Sequence, residues 1–256
     1  MSASVHPPLP PRPFPLPKAV IFDLDGTLVH SLPGLTDALN KTLAEDDLAP
    51  LDEAAVKRMV GEGVGLLVAR AFAAYGLGRA DDADDTATQA RLARFLAHYA
   101  PDPLAGASVY PGALALLGAL AARGIRLGVC TNKPEGPARA LLEGLGLADP
   151  IMEVVGGDTL AQRKPDPAPL RALLDSLGVE ADQALMVGDS PTDVATAKAA
   201  GVPVVVMAYG YSREPVASLG ALAVFDDFAS LGDWLGFPQP GGDRLGATPA
   251  LSENPA

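Results

Sequence analysis

Through the second half of the chain, short apolar runs of strand length alternate with segments of helical length, and each run stops at a polar or glycine-containing turn. The runs are Ala19 to Phe22, Leu127 to Cys130, Ile151 to Val155, Leu185 to Val187 and Val204 to Met207. Between them, Leu114 to Arg123, Pro137 to Leu145, Ala168 to Leu177 and Thr192 to Ala200 carry apolar residues at spacings of three and four, the helical period. Strand and helix in alternation predict an α/β fold: a Rossmann-like parallel sheet with helices on both faces. Parallel crossovers are right-handed, so the strands all end on one edge of the sheet. Whatever follows each strand converges there.

One region breaks the alternation. From Leu32 to Ala105 no convincing strand occurs, and Leu35 to Leu43, Ala54 to Tyr75 and Thr86 to Tyr99 read as helices. An all-helical insertion over 32–105 therefore interrupts a main α/β domain made of 18–31 and 106–237, with re-entry at Tyr110-Pro111-Gly112. The proline-rich stretch 1–17 and the Pro/Gly-rich stretch 238–256 are expected to be disordered tails.

Composition narrows the partners. A formal net charge of -12 argues against nucleic acid and against anionic membranes, which both require basic patches. An anionic substrate must then be drawn in by local cations. The single cysteine, Cys130, excludes an internal disulfide and a multi-cysteine zinc site, and it fits a reducing compartment. No run reaches the roughly 20 apolar residues of a membrane span, and prolines interrupt any signal-like start, so a cytoplasmic location is expected. A monomer or a homodimer is compatible with all of this.

The strand ends carry the chemistry. The first run closes with Asp23-Leu24-Asp25-Gly26-Thr27-Leu28, the second with Thr131-Asn132-Lys133, and the fourth with Gly188-Asp189-Ser190-Pro191-Thr192-Asp193, preceded by Arg163-Lys164-Pro165-Asp166-Pro167. In an open sheet these groups share one crevice. Asp23 and Asp25 are two apart and so fall on one side of an extended chain, where two carboxylates repel unless a cation or a proton holds them. Magnesium suits the cluster, because it takes hard oxygen ligands from one or two carboxylates and shares them with a substrate phosphate. Asp23 and Asp189 supply the carboxylates, Lys164 a fixed positive charge, and Thr131 and Asn132 donors for phosphate oxygens. Asp23 would then attack phosphorus to form an aspartyl phosphate, while Asp25 protonates the leaving oxygen and later activates water. Asp193 reads both as a neighbour of the metal and as the third helical residue of a capping box opened by Ser190. Thr131 and Asn132 also read as helix caps, and Lys164 taken alone as a surface lysine.

DLDGTL at Asp23 to Leu28, TNKP at Thr131 to Pro134, KPDPAP from Lys164 and GDSPTD at Gly188 to Asp193 resemble, in order and strand context, the motifs of haloacid-dehalogenase-like phosphohydrolases. VGGDTLAQRKPDPAP, KAAGVP, YGYSREP and VGEGVGLLVAR are further similar to the bacterial phosphoglycolate phosphatases within that superfamily. The resemblance implies that Asp23 is nucleophile and metal ligand, and that Asp25 is the acid/base whose main-chain carbonyl also meets the metal. It further implies phosphate-binding roles for Thr131 and Lys164, a ligand role for Asp189, and support of the metal by Asp193. It makes the insertion a helical cap that selects the substrate, with Arg70, Gly61 and Gly63 as candidates for holding a substrate carboxylate. His30 departs from the acid that relatives often carry there. The expected reaction is hydrolysis of a small phosphate ester, 2-phosphoglycolate foremost, with another small phosphate, a phosphosugar mutase, or a non-catalytic phosphate binder as competing readings.

Overall fold

The computed structural model describes residues 15–237, so the expected tails lie outside the described residues except for 15–17. In chain order the elements begin with β1 (Ala19–Phe22), β2 (Val29–His30), α1 (Leu32–Ala44), α2 (Glu53–Lys57), α3 (Val64–Ala73) and α4 (Thr86–Tyr99). They continue with β3 (Ser108–Val109), α5 (Ala113–Ala122), β4 (Arg126–Cys130), α6 (Glu135–Gly144), β5 (Glu153–Val155) and α7 (Ala168–Leu177). The last are β6 (Ala184–Gly188), α8 (Pro191–Ala200), β7 (Val204–Met207), β8 (Val224–Phe225) and α9 (Phe228–Leu235).

β1 is buried along its whole length and sits in the middle of a six-stranded sheet of order β5-β4-β1-β6-β7-β8. Every pairing in that sheet is parallel. The period-two alternation of a strand divides its side chains between two cores. Val20 and Phe22 pack with Leu116, Leu117 and Leu120 of α5 and Phe228 and Leu231 of α9. Ala19 and Ile21 pack on the other face with Leu170, Leu173 and Leu174 of α7 and Val194 and Ala197 of α8. Helices thus cover both faces, as the apolar runs require. From β1 the chain builds outward to β4 and β5 on one side, then returns to β6, β7 and β8 on the other. The strand order reverses beside β1, and a crevice opens at its carboxyl end.

α1, α3 and α4 form their own core above that edge, through Leu35, Leu39 and Leu43, Leu67, Val68 and Phe72, and Phe95. Phe72 and Phe95 are fully buried there, each contributing roughly 1.5–3 kcal/mol by removal from water. The stretch Ala54 to Tyr75 is not one helix. It breaks between α2 and α3 at Gly61-Glu62-Gly63, where Gly61 and Gly63 have φ of 115° and 95°, a region closed to other residues without strain. The helical stretch is framed by a two-stranded antiparallel pairing of β2 with β3, Val29 opposite Val109 and His30 opposite Ser108. These two-residue strands, and β8 and α9, have no counterpart in the sequence reading. Among the described residues no helix is long and apolar enough to cross a membrane.

Candidate active site

Asp23 directly follows β1, Asp189 directly follows β6, and these two strands are hydrogen-bonded neighbours. Topology therefore brings together residues far apart in sequence. Candidate ligand oxygens of Asp23, Asp189 and Asp193 lie within 4.8 Å of one another, and all three residues are buried. Lys164 joins them: its Nζ is 3.0 Å from Asp23 and 2.6 Å from Asp193, with its side chain 1% exposed. Asp193 is held in place by its helix. Ser190 is the N-cap of α8, Pro191 opens the helix, and the Asp193 carboxylate receives the Ser190 N–H and Oγ–H and the Asp189 N–H. The capping box seen in the sequence is formed, and it aims the other oxygen of Asp193 at Lys164. Asp189 accepts from Thr27 Oγ1 at 2.9 Å and from the Tyr211 N–H at 2.6 Å.

The charge does not balance. Three carboxylates face one ammonium group, an excess of two negative charges that a divalent cation would neutralise. Burial pushes Asp23 up, Lys164 pulls it down and Asp193 pushes it up again, leaving it at about 6. Asp189 is raised well above the usual carboxylate range, by burial first and then by Asp193 and Asp23. Burial opposes the charge of Lys164, yet Asp193 and Asp23 outweigh it and lift the lysine above its ordinary value. Carboxylates that resist ionisation until a positive charge arrives, offering hard oxygen ligands, fit a divalent metal. The side chain of Asp25 is not part of this cluster.

The Asp25 carboxylate faces other partners. It accepts the Ser31 hydroxyl at 2.5 Å and lies 3.3 Å from Lys133 Nζ. Lys133 in turn donates to the Tyr99 hydroxyl at 2.8 Å, which ties the strand edge to α4. Tyr211 Oη receives the Ser31 and Leu32 N–H groups and lies 3.0 Å from His30 Nδ1, so β2, the start of α1 and the loop after β7 are joined at one hydroxyl.

Asp23, Asp25, Thr131, Asn132 and Lys133 line one cavity of about 390 Å³, its open mouth included. The opposite wall is Leu35, Val60, Val64 and Leu67, with Gly61 and Gly63 presenting backbone. Three expectations change here. Arg70 does not line the cavity; its guanidinium donates to Met59 O at 2.9 Å and to Glu62 at 2.6 Å, which holds it to the glycine loop. Asn132 donates its side-chain NH2 to Lys164 O at 3.0 Å and Gly61 O at 3.4 Å, so those donors tie the lysine segment to the glycine loop and are not free for a phosphate, while the residue still lines the cavity. Neither Thr131 nor Asn132 caps α6; Asp158 accepts from the Glu135 N–H there, at 2.7 Å. Glu62 also accepts from Arg213, a further link from the helical stretch to the sheet domain.

Ser31, Tyr99 and Tyr211 are not among the site residues read from the sequence, and Lys133 is there only as the end of Thr131-Asn132-Lys133, without a role. Lys133 was visible as the third residue of TNKP, but nothing local says that a lysine there is buried. A parallel sheet with a carboxylate cluster and a buried lysine at its edge, closed over by helices, defines a metal-assisted hydrolase.

The chain belongs to the haloacid dehalogenase-like hydrolase family, whose model matches residues 17–201. It is 98% identical over 241 residues to the phosphoglycolate phosphatase of Rhodospirillum rubrum, covering 94% of this chain and 100% of that one. It is 46% identical to a phosphoglycolate phosphatase of Cereibacter sphaeroides, over 84% of this chain and 96% of that one. The crystal structure of a predicted phosphoglycolate phosphatase from Haemophilus somnus superposes with a TM-score of 0.77 at 32% identity, covering 86% of this chain and 98% of that one.

Proposed function

We propose that this protein is a magnesium-dependent phosphatase that hydrolyses 2-phosphoglycolate to glycolate and inorganic phosphate in the cytoplasm. The observation that carries the reading is the 98% identity to a phosphoglycolate phosphatase along that relative's whole length. The site geometry supports the chemistry. A carboxylate oxygen of Asp23 attacks phosphorus, the phosphorus to ester-oxygen bond breaks, and Asp25 gives its proton to the departing glycolate oxygen. Water then attacks the aspartyl phosphate, Asp25 takes the water's proton, and Asp23 is released with phosphate. Lys164 and the Thr131 hydroxyl stabilise the transferring group, with Lys164 positioned by Asp193. Magnesium held by Asp23, Asp189 and the Asp25 main-chain carbonyl would neutralise charge on the phosphate oxygens. The helices of 32–105 act as a cap, whose apolar wall over the cavity excludes bulk water from the aspartyl phosphate.

Phosphate release from 2-phosphoglycolate, sugar phosphates, nucleoside monophosphates and pyrophosphate, each with magnesium or with chelator, tests the reading. Magnesium-dependent release, fastest from 2-phosphoglycolate and abolished in Asp23→Asn, is the expected result. Interconversion of sugar phosphates without net phosphate release would refute it in favour of a mutase.

A further inference from the structure

Lys164 stands behind Asp23, 3.0 Å away, as the cation for the phosphate, but 2-phosphoglycolate carries a second anion, and Arg70 is engaged by Glu62. Among the described residues that line the cavity, the only cationic side chain is Lys133. Its side chain is 1% exposed, and burial of an ammonium group requires a partner. The partners present hold it unequally. One of its donors goes to Tyr99 Oη at 2.8 Å, while the Asp25 oxygens stand 3.3 and 3.4 Å away, beyond the roughly 2.7–2.9 Å of a well-formed charge-assisted hydrogen bond. An ammonium group has three donors, and the two that reach the Asp25 oxygens are the long ones, which a ligand in the cavity can take over.

Position adds to this. Asp25 addresses the ester oxygen in the reaction proposed above, and the carboxyl carbon of 2-phosphoglycolate is two bonds from that oxygen. A cation beside Asp25 therefore lies where the substrate carboxylate falls. Resting on that reading, we infer that Lys133, oriented by Tyr99, receives the carboxylate of 2-phosphoglycolate and makes the enzyme selective for a carboxylated phosphate ester. The apolar residues Leu35, Val64 and Leu67 opposite offer no competing charge and limit the length of what fits. When the substrate leaves, the same ammonium group returns to Asp25.

The test compares 2-phosphoglycolate with its uncharged isostere 2-phosphoglycolamide, by kcat/KM, in the full-length magnesium-loaded enzyme. The unaltered enzyme should prefer the acid by about 100-fold or more, and Lys133→Met should reduce that preference at least about 10-fold, the scale of one lost hydrogen bond to a charge. Tyr99→Phe, which releases the lysine from its hydroxyl, should reduce it less. If Lys133→Met lowers both substrates equally, Lys133 serves Asp25 alone and the inference fails. Equal turnover of acid and amide by the unaltered enzyme also overturns it, whether or not the variants fold. Absence of any release from 2-phosphoglycolate would overturn the proposed function as well, which sets that failure apart from the loss of this inference only.

Discussion

The hydroxyl of Ser31 donates to a carboxylate oxygen of Asp25 at 2.5 Å, and the Ser31 N–H is itself fixed by Tyr211 Oη at 3.0 Å. Ser31 sits between β2 and α1, where the chain passes from sheet to helices. The residue that orients the proposed acid/base is thus anchored at that junction. Ser31→Ala leaves Asp25 in place but free to rotate. Its kcat should fall about 10-fold, the scale of one lost hydrogen bond to a charged group, with little change in KM. Steady-state kinetics on 2-phosphoglycolate reads this directly, and an unchanged kcat would show that Lys133 alone is enough to orient Asp25.

Lys164 and Asp193 form a pair removed from solvent, with side chains 1% and 0% exposed. Removing one member of such a pair is costly because the other stays buried and unmatched, by about 3–5 kcal/mol. Asp193→Asn should lower unfolding free energy by about 3 kcal/mol and turnover by about 100-fold or more, since Lys164 loses its anchor. Lys164→Met in that background should cost less than Lys164→Met alone, because the lysine has by then lost its strongest partner. Denaturant titrations of both single variants and the double variant measure the coupling. Strict additivity would contradict a shared pair.

Asp23 gives a prediction with a definite pH sign. Its pKa is pushed up from 3.8 unfolded to about 6 in the metal-free fold, chiefly by burial. Between those values the folded state holds a proton that the unfolded state has lost, so the contribution of Asp23 to stability is complete below about 4 and declines as pH rises to about 6. The loss is about 3 kcal/mol for this one group, at roughly 1.4 kcal/mol for each unit of pKa. Asp189 shifts in the same direction. Glu62 works the other way: burial raises it, but Arg70 and Arg213 outweigh burial and depress it, so its contribution is lost on acidification. The Asp23 component is isolated by difference. In chelator-treated protein, Asp23→Asn should gain stability over the unaltered chain as pH rises from about 4 to about 6, and magnesium should raise the Tm of the unaltered chain more at pH 7.5 than at pH 5. A flat difference across that range would mean that burial does not hold Asp23 above its ordinary value.

What the sequence made legible follows contact range. The capping box at Ser190 and Asp193 involves residues three apart, and the turn chemistry of GDSPTD announces it. Asp23 and Asp189 could be placed together because each ends an apolar run, and the parallel sheet does the rest. The Lys133 to Tyr99 contact joins residues 34 apart and the Ser31 to Tyr211 contact residues 180 apart, both across the two layers. No periodicity encodes which helical side chain meets which strand end. Arg70 misled for the same reason: its helix was identified, but not the turn at Gly61 and Gly63 that sets it against Glu62. β8 escaped because a two-residue strand carries no alternation to read, whereas α9 does carry apolar residues at helical spacing, Phe228, Leu231 and Leu235, over only eight residues.

Gly210 supplies a last test of the cation site, since it lies in the loop after β7 against Asp189. A Cβ added at Gly210 would stand 2.1 Å from the Asp189 Cβ and 2.4 Å from one of its carboxylate oxygens. No rotamer change of Asp189 relieves the first contact, because Cβ does not move with χ1. The backbone at one of the two positions must shift, and the Tyr211 N–H that holds Asp189 follows within one residue. Gly210→Ala should therefore weaken magnesium affinity, on the scale of about 10–100-fold seen when the support of a metal ligand is disturbed. The sheet itself should survive, because β7 ends at Met207. The apparent affinity can be measured from the magnesium dependence of Tm and, independently, from the magnesium dependence of phosphate release. Unchanged values from both would show that Asp189 does not hold the cation, and the proposed ligand set would have to be rebuilt around Asp23 and Asp193.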